Sequence, residues 1–305
     1  MSALLLEQLL NGVQLGLSLF LMAAGLTLVF GVMGLINLAH GALYMTGAFV
    51  CAWTGALTGS FWVGLGAGVL AAAAAGAAIE LLVIRRLYDR DHLDQVLATF
   101  ALILIFSEAA RAVFGAAPLW LDVPPALAGS VALPGGAAYP VYRLAIIAAG
   151  LAVAAGLYLL IQRTRLGMRI RAGEADREMV GALGVDIATL YTVIFALGAG
   201  LAGLAGAMIG PLQSVQVGMG EPVLILAFVV IVIGGIGSIR GALFGAVLVG
   251  LVDTLGRVFL PAAFALVLEP SAAAGMGAAL ASMLIYVMMA AILAVRPQGL
   301  FPADA

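Results

Sequence analysis

Few side chains in this 305-residue sequence could do chemistry, and two stretches stand out. The first runs from Gly31 to Tyr44, where Asn37 and His40 interrupt an otherwise apolar run. The second, Arg163 to Ile187, carries five arginines and four carboxylates in 25 residues. Neither stretch is a catalytic constellation. The chain has no Gly-x-Ser-x-Gly, no His-Glu-x-x-His, no Gly-Asp pair beside a second aspartate, and no series of acids and histidines for a proton relay. The two histidines, His40 and His92, lie far apart in the chain, so metal ligation is not expected. The lone cysteine, Cys51, sits in an apolar segment, can form no internal disulfide and reads as packing. There is no lysine, and all 13 basic residues are arginine, so a phosphate-binding Walker A loop is excluded. An enzyme and a proton-driven carrier are both disfavoured, no cofactor is expected, and any ATP use must lie on another chain.

The elements that hold these residues follow from composition. The chain is 65% hydrophobic and 9% charged, with a mean hydropathy of +1.22. Soluble domains carry about 25% charged residues. The fold class expected is therefore all-α, a polytopic transmembrane bundle occupying residues 1–305 as one domain. Abundant glycine and alanine suit close helix contact in lipid. No basic region precedes the first apolar run, so a cleaved signal peptide is not expected. A span needs about 20 apolar residues. Eight to nine such segments can be placed: Leu9–Phe30, Leu38–Leu57, Trp62–Ile84, Gln95–Phe114, Tyr142–Ile161, Ala188–Ile209, a short Val223–Ser238, Gly241–Leu260 and Met276–Val295, with Arg296–Ala305 as a tail. Residues 116–140 are rich in proline, glycine and alanine, with Trp120 and Tyr139 as expected interfacial aromatics.

Parity orients this layout. The loop Arg85–Asp94, the island Arg163–Ile187, Arg240 and Arg296 all fall on one side. That side holds ten of the 13 arginines; Arg111, Arg143 and Arg257 fall on the other. The positive-inside rule makes the richer side cytoplasmic, with the N-terminus outside and the C-terminus inside. The island cannot enter hydrocarbon, because one charge at mid-bilayer costs about 2.5–3.5 kcal/mol. Within it Ala172, Ala175, Met179, Ala182 and Leu183 repeat at helical spacing, with Glu174, Arg177 and Glu178 opposite. The pattern predicts a short amphipathic helix stopped by Gly184, with Asp186 capping the next span. Such a helix either lies on the membrane or its own protein, or docks a soluble partner.

Two glycine-rich interruptions resemble each other. Gly31 to Leu43 and Gly234 to Leu243 share a Gly pattern and a Gly-Ala-Leu step, which suggests broken helices in an internal repeat around a central path. Asn37 then either lines the path or caps the second helix, and His40 either lines it or bonds a neighbouring helix. Glu108 with Arg111 and Asp253 with Arg257 have ion-pair spacing. Asp253 and Arg257 read as a structural pair or as gate residues. Glu80, near a span end, is assigned no role.

Several stretches resemble one family. Gly25 to Phe49 (GLTLVFGVMGLINLAHGALYMTGAF) is similar to the opening of the branched-chain amino-acid ABC-transporter permeases, the LivH-like inner-membrane subunits. RLGMRIRAGEADREMVGALGVDI resembles their cytoplasmic coupling loop, and Gly234 to Asp253 and the closing RPQGLF are also similar. The likeness runs in order from Leu9 to Phe301. It implies a bacterial inner-membrane subunit that forms half of a translocation path, beside a homologous second permease, two cytoplasmic ATPases and a periplasmic substrate-binding protein. By the same resemblance, residues 163–187 form the coupling loop, with Gly173, Glu174, Ala175, Asp176, Arg177, Glu178 and Gly184 meeting the ATPase. Asn37, His40 and Tyr44, with Gly234, Gly235 and Gly237, are the expected path residues. One position departs: many relatives carry glutamate after His-Gly, where this chain has Ala42. That puts the amino-acid substrate in question, since relatives with these motifs also move urea or short amides. A secondary transporter or channel without ATPase partners is the reading from a different class.

Overall fold

The computed structural model describes residues 2–301 except 89 and 135. It is a bundle of antiparallel helices: α1 (Ser2–Met33), α2 (His40–Thr58), α3 (Phe61–Leu82), α4 (His92–Phe114), α5 (Val141–Arg163), the short α6 (Arg165–Ala175) and α7 (Arg177–Ala182), then α8 (Ile187–Ile209), α9 (Gly220–Gly234), α10 (Ile239–Phe264) and α11 (Pro270–Val295). Every expected span is a helix. Seven are long and apolar enough to cross a membrane: α1, α3 with its following 3₁₀ turn, α4, α5, α8, α10 and α11. The other two, α2 and α9, are shorter or more polar, for a visible reason. They are wrapped by protein, so their side chains need not match lipid. α9 has 15 residues, a rise of about 22 Å against a hydrocarbon core of about 30 Å.

The core sits around α1, the most enclosed of the long helices, and α8 is next. Both are hydrophobic on nearly all sides, the pattern of a helix surrounded by protein rather than one with a single buried stripe. α10 lies antiparallel along α1, with Gly12 against Leu251 and Gly16 against Val247. α8 lies antiparallel to α3, with Gly76 against Ala199 and Gly203 against Ala72, and runs in the same direction as α2. Small residues set these distances, as expected where lipid gives helices no hydrophobic reason to associate. At the crossing of α2 and α8, a Cβ on Gly47 would fall 2.3 Å from the Gly203 Cα. At that of α2 and α9, a Cβ on Gly220 would fall 1.9 Å from the Gly41 carbonyl oxygen.

Between α4 and α5 lies a small hairpin, β1 (Ser130–Ala132) against β2 (Ala138–Pro140), in register Val131 to Tyr139. A bridge from Leu119 to Val215 ties this segment to the turn before α9. Trp120 is exposed as expected, but Tyr139 is not the expected interfacial aromatic: it is buried where the hairpin folds onto α5. The last four residues of the expected tail, 302–305, lie outside the described residues.

The arginine-rich loops gather at one end. Arg85 donates to the Ala188 carbonyl, Glu174 lies against Gly31, Gly31 abuts Gly237, and the Phe301 carbonyl abuts Gly235. At the opposite end Arg143 of α5 donates to Asn11 of α1, and Arg111 pairs with Glu108 at 2.6 Å.

Candidate functional site

Both expected helix breaks are present, and they meet. α1 stops at Met33 and the chain turns through Gly34, whose φ of +66° belongs to the region open mainly to glycine. α9 stops at Gly234, followed by Gly235 and Gly237 at φ +108° and +86°. Ser238 then caps α10, accepting the Gly241 amide at 3.0 Å. A Cβ on Gly31 would stand 3.0 Å from the Gly237 Cα, so the two junctions touch through glycine. The closing segment covers the second one. The Leu300 and Phe301 amides donate to the Ile233 and Gly234 carbonyls at 2.9 and 2.8 Å, satisfying acceptors that the end of α9 leaves free. Phe301 stacks on Phe244 of α10, ring centres 5.1 Å apart.

Asn37 and His40 are fully buried in the first junction. The structure corrects one of the two plain roles open to them. Asn37 does not cap α2, whose N-cap is Ala39 with no side-chain bond, whereas the His40 ring faces the Met22 backbone of the neighbouring α1. Both amide atoms of Asn37 and both ring nitrogens of His40 lack a partner. Removing a polar group from water without a hydrogen bond costs about 1–3 kcal/mol, so these atoms are an energetic liability in this arrangement. Gly25 makes room for the imidazole: a Cβ there would stand 2.9 Å from Nε2. Tyr44 is buried one turn further along α2, its ring against Gly206 of α8. Ala42 is buried beside them.

The charged island departs from the single amphipathic helix expected. Asp176 adopts an extended backbone, φ −158°, and splits it into α6 and α7. The reason is local: the Asp176 carboxylate accepts the Met179 amide at 2.9 Å and starts a new helix. Thr164 caps α6 in the same way, accepting the Gly167 amide at 3.1 Å. The apolar stripe is corrected with it. Gly173 and Val180 are buried, whereas Met179 and Leu183 are 58% and 77% exposed. Glu174 is exposed too, but its carboxylate reaches back toward Gly31, and partial desolvation there raises it above the usual carboxylate range. Arg177 and Glu178 remain exposed with Ala175 and Asp176. Gly184 ends the segment in the left-handed region, and Asp186 caps α8 through the Thr189 amide, both as expected. The Thr189 bonds hold the Asp186 carboxyl below its ordinary range.

A cavity of ≈ 830 Å³ opens beside this loop, between α1, α5, α6 and α10. It collects Glu174, Ala175 and Gly237 from the expected sites, with Gly31 of the first junction beside them. Asn37, His40, Tyr44, Gly234 and Gly235 lie outside its lining.

One cluster was missed in the sequence. Glu80 of α3 is fully buried and accepts Nε and Nη2 of Arg85, each at 3.2 Å, with the Tyr88 hydroxyl and the Thr192 hydroxyl of α8 completing its partners. Arg85 in turn donates to Thr192 at 2.8 Å. Burial first, and then the adjacent Glu80, push the Tyr88 phenol upward, so it stays a donor. A carboxylate inside an apolar span was the available signal. Asp253 and Arg257 form an ion pair at 2.9 Å. Among the described residues no group of His, Cys, Asp and Glu could hold a metal ion.

Long apolar helices packed through glycine, two broken-helix junctions in contact, and an exposed charged loop at the same end define a polytopic membrane transport protein. Comparison with known proteins makes the class specific. Residues 8–293 match the family described as branched-chain amino acid transport system / permease component, and the chain belongs to that family. It is 31% identical over 265 residues to the high-affinity branched-chain amino acid transport system permease protein BraD of Pseudomonas aeruginosa, covering 82% of this chain and 86% of that one. It is 28% identical over 272 residues to the corresponding LivH of Escherichia coli, covering 84% and 87%. A shorter match, 36% over 101 residues, joins it to the fructose import permease protein FrcC of Rhizobium meliloti, covering 31% and 28%.

Proposed function

We propose that this chain is the membrane subunit of an ATP-driven importer for branched-chain or other small amino acids. It forms half of the path beside a second, homologous permease. Two separate ATPases act on its cytoplasmic end, and a periplasmic binding protein delivers the solute. The observation that carries this reading is the split loop. α7 exposes Met179 and Leu183, beside Arg177 and Glu178, at the arginine-rich end of the bundle. Apolar side chains amid charges, on a loop outside the bundle, suit a protein groove better than water. The absence of lysine supports a separate ATPase. The orientation follows the arginine bias, with N-terminus periplasmic and C-terminus cytoplasmic.

In this reading the ATPases contact Gly173, Glu174, Ala175, Asp176, Arg177, Glu178 and Gly184, with the outward set from Arg177 to Leu183 making the main contact. Closure of the ATPases moves the loop, and the junctions at Gly34 and at Gly234, Gly235 and Gly237 bend as the halves rock. Asn37, His40 and Tyr44 face the path when the first junction opens, which gives their unpaired polar atoms a partner in the solute. The relatives named for branched-chain amino acids support that substrate class. Ala42, where many relatives carry glutamate, keeps urea and short amides as the second reading.

The test is a mild-detergent pull-down from native membranes. The wild-type chain should bring down a second permease and an ATPase in comparable amounts. Met179→Glu/Leu183→Glu should retain the permease and lose the ATPase. Recovery of the chain alone, repeatedly, would instead indicate a secondary transporter or channel. Competition of leucine, urea and acetamide for uptake then separates the substrates.

A further inference from the structure

The cavity beside the coupling loop has a two-part lining. Toward the middle of the spans its walls are apolar: Phe20 of α1, with Ala155 and Leu157 of α5. At its loop end stand Arg171 of α6 and Arg240 in the first turn of α10. Neither arginine is in a salt bridge among the described residues. Arg240 lies over the Tyr158 ring, 5.5 Å from its centre, and Arg171 donates to the Ile161 carbonyl. The lining includes one carboxylate, Glu174, held above the ordinary range by partial desolvation. The N-terminus of the 26-residue α10 adds positive potential at the same end. The surplus is thus positive at one end of a slot that is otherwise apolar.

We propose that this cavity binds one anionic phospholipid of the cytoplasmic leaflet. Its phosphate lies between Arg171 and Arg240, and an acyl chain runs along α1 between α5 and α10. The division of the lining selects the occupant. A soluble anion would leave the apolar walls uncovered. A protein helix would bring no anion to two arginines at one end only. A phospholipid has both parts in the order the slot has them, and basic pockets between spans on the cytoplasmic side suit anionic headgroups. The bound lipid would brace α5 and α6 against α10, next to Gly31 and Gly237. The inference rests on the membrane orientation proposed above, but not on any ATPase partner.

The test is native mass spectrometry of the full chain in neutral detergent, with equimolar phosphatidylglycerol and phosphatidylethanolamine. Each basic residue at an anionic headgroup gives about a fivefold preference, so Arg171→Gln/Arg240→Gln should lower phosphatidylglycerol retention about thirtyfold. Ala155→Trp should block retention by filling the slot with both arginines in place. Arg163→Gln/Arg165→Gln, in exposed loop positions outside the lining, should change nothing. Equal binding of the two lipids, an equal loss in the Arg163/Arg165 variant, or displacement of the lipid by inorganic phosphate would overturn the proposal. So would a co-purifying protein that Ala155→Trp releases in place of lipid. Loss of the ATPase in the Met179/Leu183 experiment bears on the importer reading alone, so the two can fail separately.

Discussion

The Glu80 cluster sets a quantitative test, because its two charged members differ in exposure. The Glu80 side chain is fully buried, whereas that of Arg85 is 37% exposed. Removing the arginine strands a buried carboxylate with only the Tyr88 and Thr192 hydroxyls; removing the carboxylate leaves an arginine that can turn to water. Breaking a buried pair costs about 3–5 kcal/mol, and partial exposure of Arg85 places Arg85→Met near the lower end, about 3 kcal/mol. Glu80→Gln keeps the shape and an acceptor, so it should cost about 1–2 kcal/mol. In the double variant the stranded charge no longer exists, so its cost should fall short of the sum by about 1–2 kcal/mol. The assay is equilibrium unfolding of the four proteins in mixed neutral and anionic detergent micelles, closed as a double-mutant cycle. An Arg85→Met cost below about 0.5 kcal/mol, typical of an exposed pair, or strict additivity, would refute the argument that the protein pays the desolvation of Glu80 through Arg85.

Three further outcomes are expected. Gly47→Ala should destabilise by about 1–3 kcal/mol through overpacking at the crossing of α2 and α8, while Gly66→Ala, whose Cβ would meet open space, should stabilise by up to about 1 kcal/mol through helix propensity; similar shifts for both, by thermal unfolding, would sink the close-packing argument. Gly34→Ala meets no neighbour within 4 Å but must hold φ at +66°, so it should cost about 1–2 kcal/mol by backbone strain alone, and Gly34→Asn should recover part of that loss; equal losses would point to another cause. Glu174 titrates above the ordinary carboxylate range because partial desolvation disfavours its charge, so the folded state holds its proton more tightly than the unfolded chain does, and its contribution to stability is present below the ordinary carboxylate pKa and lost as pH rises through the raised value. Glu174→Gln should flatten Tm against pH across that mildly acid window, and an unchanged slope would contradict it.

What was legible in the sequence was whatever one helix decides by itself. Span positions follow from runs of apolar residues, and caps such as Asp186 from the residue type beside a run. The stop at Gly184 and the breaks near Gly34 and Gly235 follow from glycine's tolerance of positive φ. What was not legible depends on neighbours. The stripe through Met179 and Leu183 has helical spacing, yet a carboxylate bond at Asp176 restarts the helix and turns that stripe outward. Glu80 looks like an ordinary charge near a span end until Thr192, 112 residues away, is folded beside it. Tyr139 looks interfacial until a hairpin covers it. Asn37 and His40 were recognised as polar groups at membrane depth, but the helix cap the sequence offered Asn37 is one that the packing does not supply.

These neighbours converge on α8. Its first turn is capped by Asp186, directly after the exposed loop. One turn on, Thr192 bonds to Glu80 and so to α3. The adjacent Tyr191 stacks edge-on against Tyr88 and donates to the Val32 carbonyl of α1, at 3.4 Å, two residues before Gly34. Further along, Gly198 presses on Gly25, the residue that makes room for His40. A displacement of the loop therefore reaches α3, the end of α1 and the His40 pocket through one rigid helix, and a packed helix transmits such a shift because its neighbours leave it no space to absorb it. This makes α8 the element that joins the exposed end to the His40 pocket by packing. The other break, at Gly235, is reached separately, where Gly31 touches Gly237 and the closing segment pins α9.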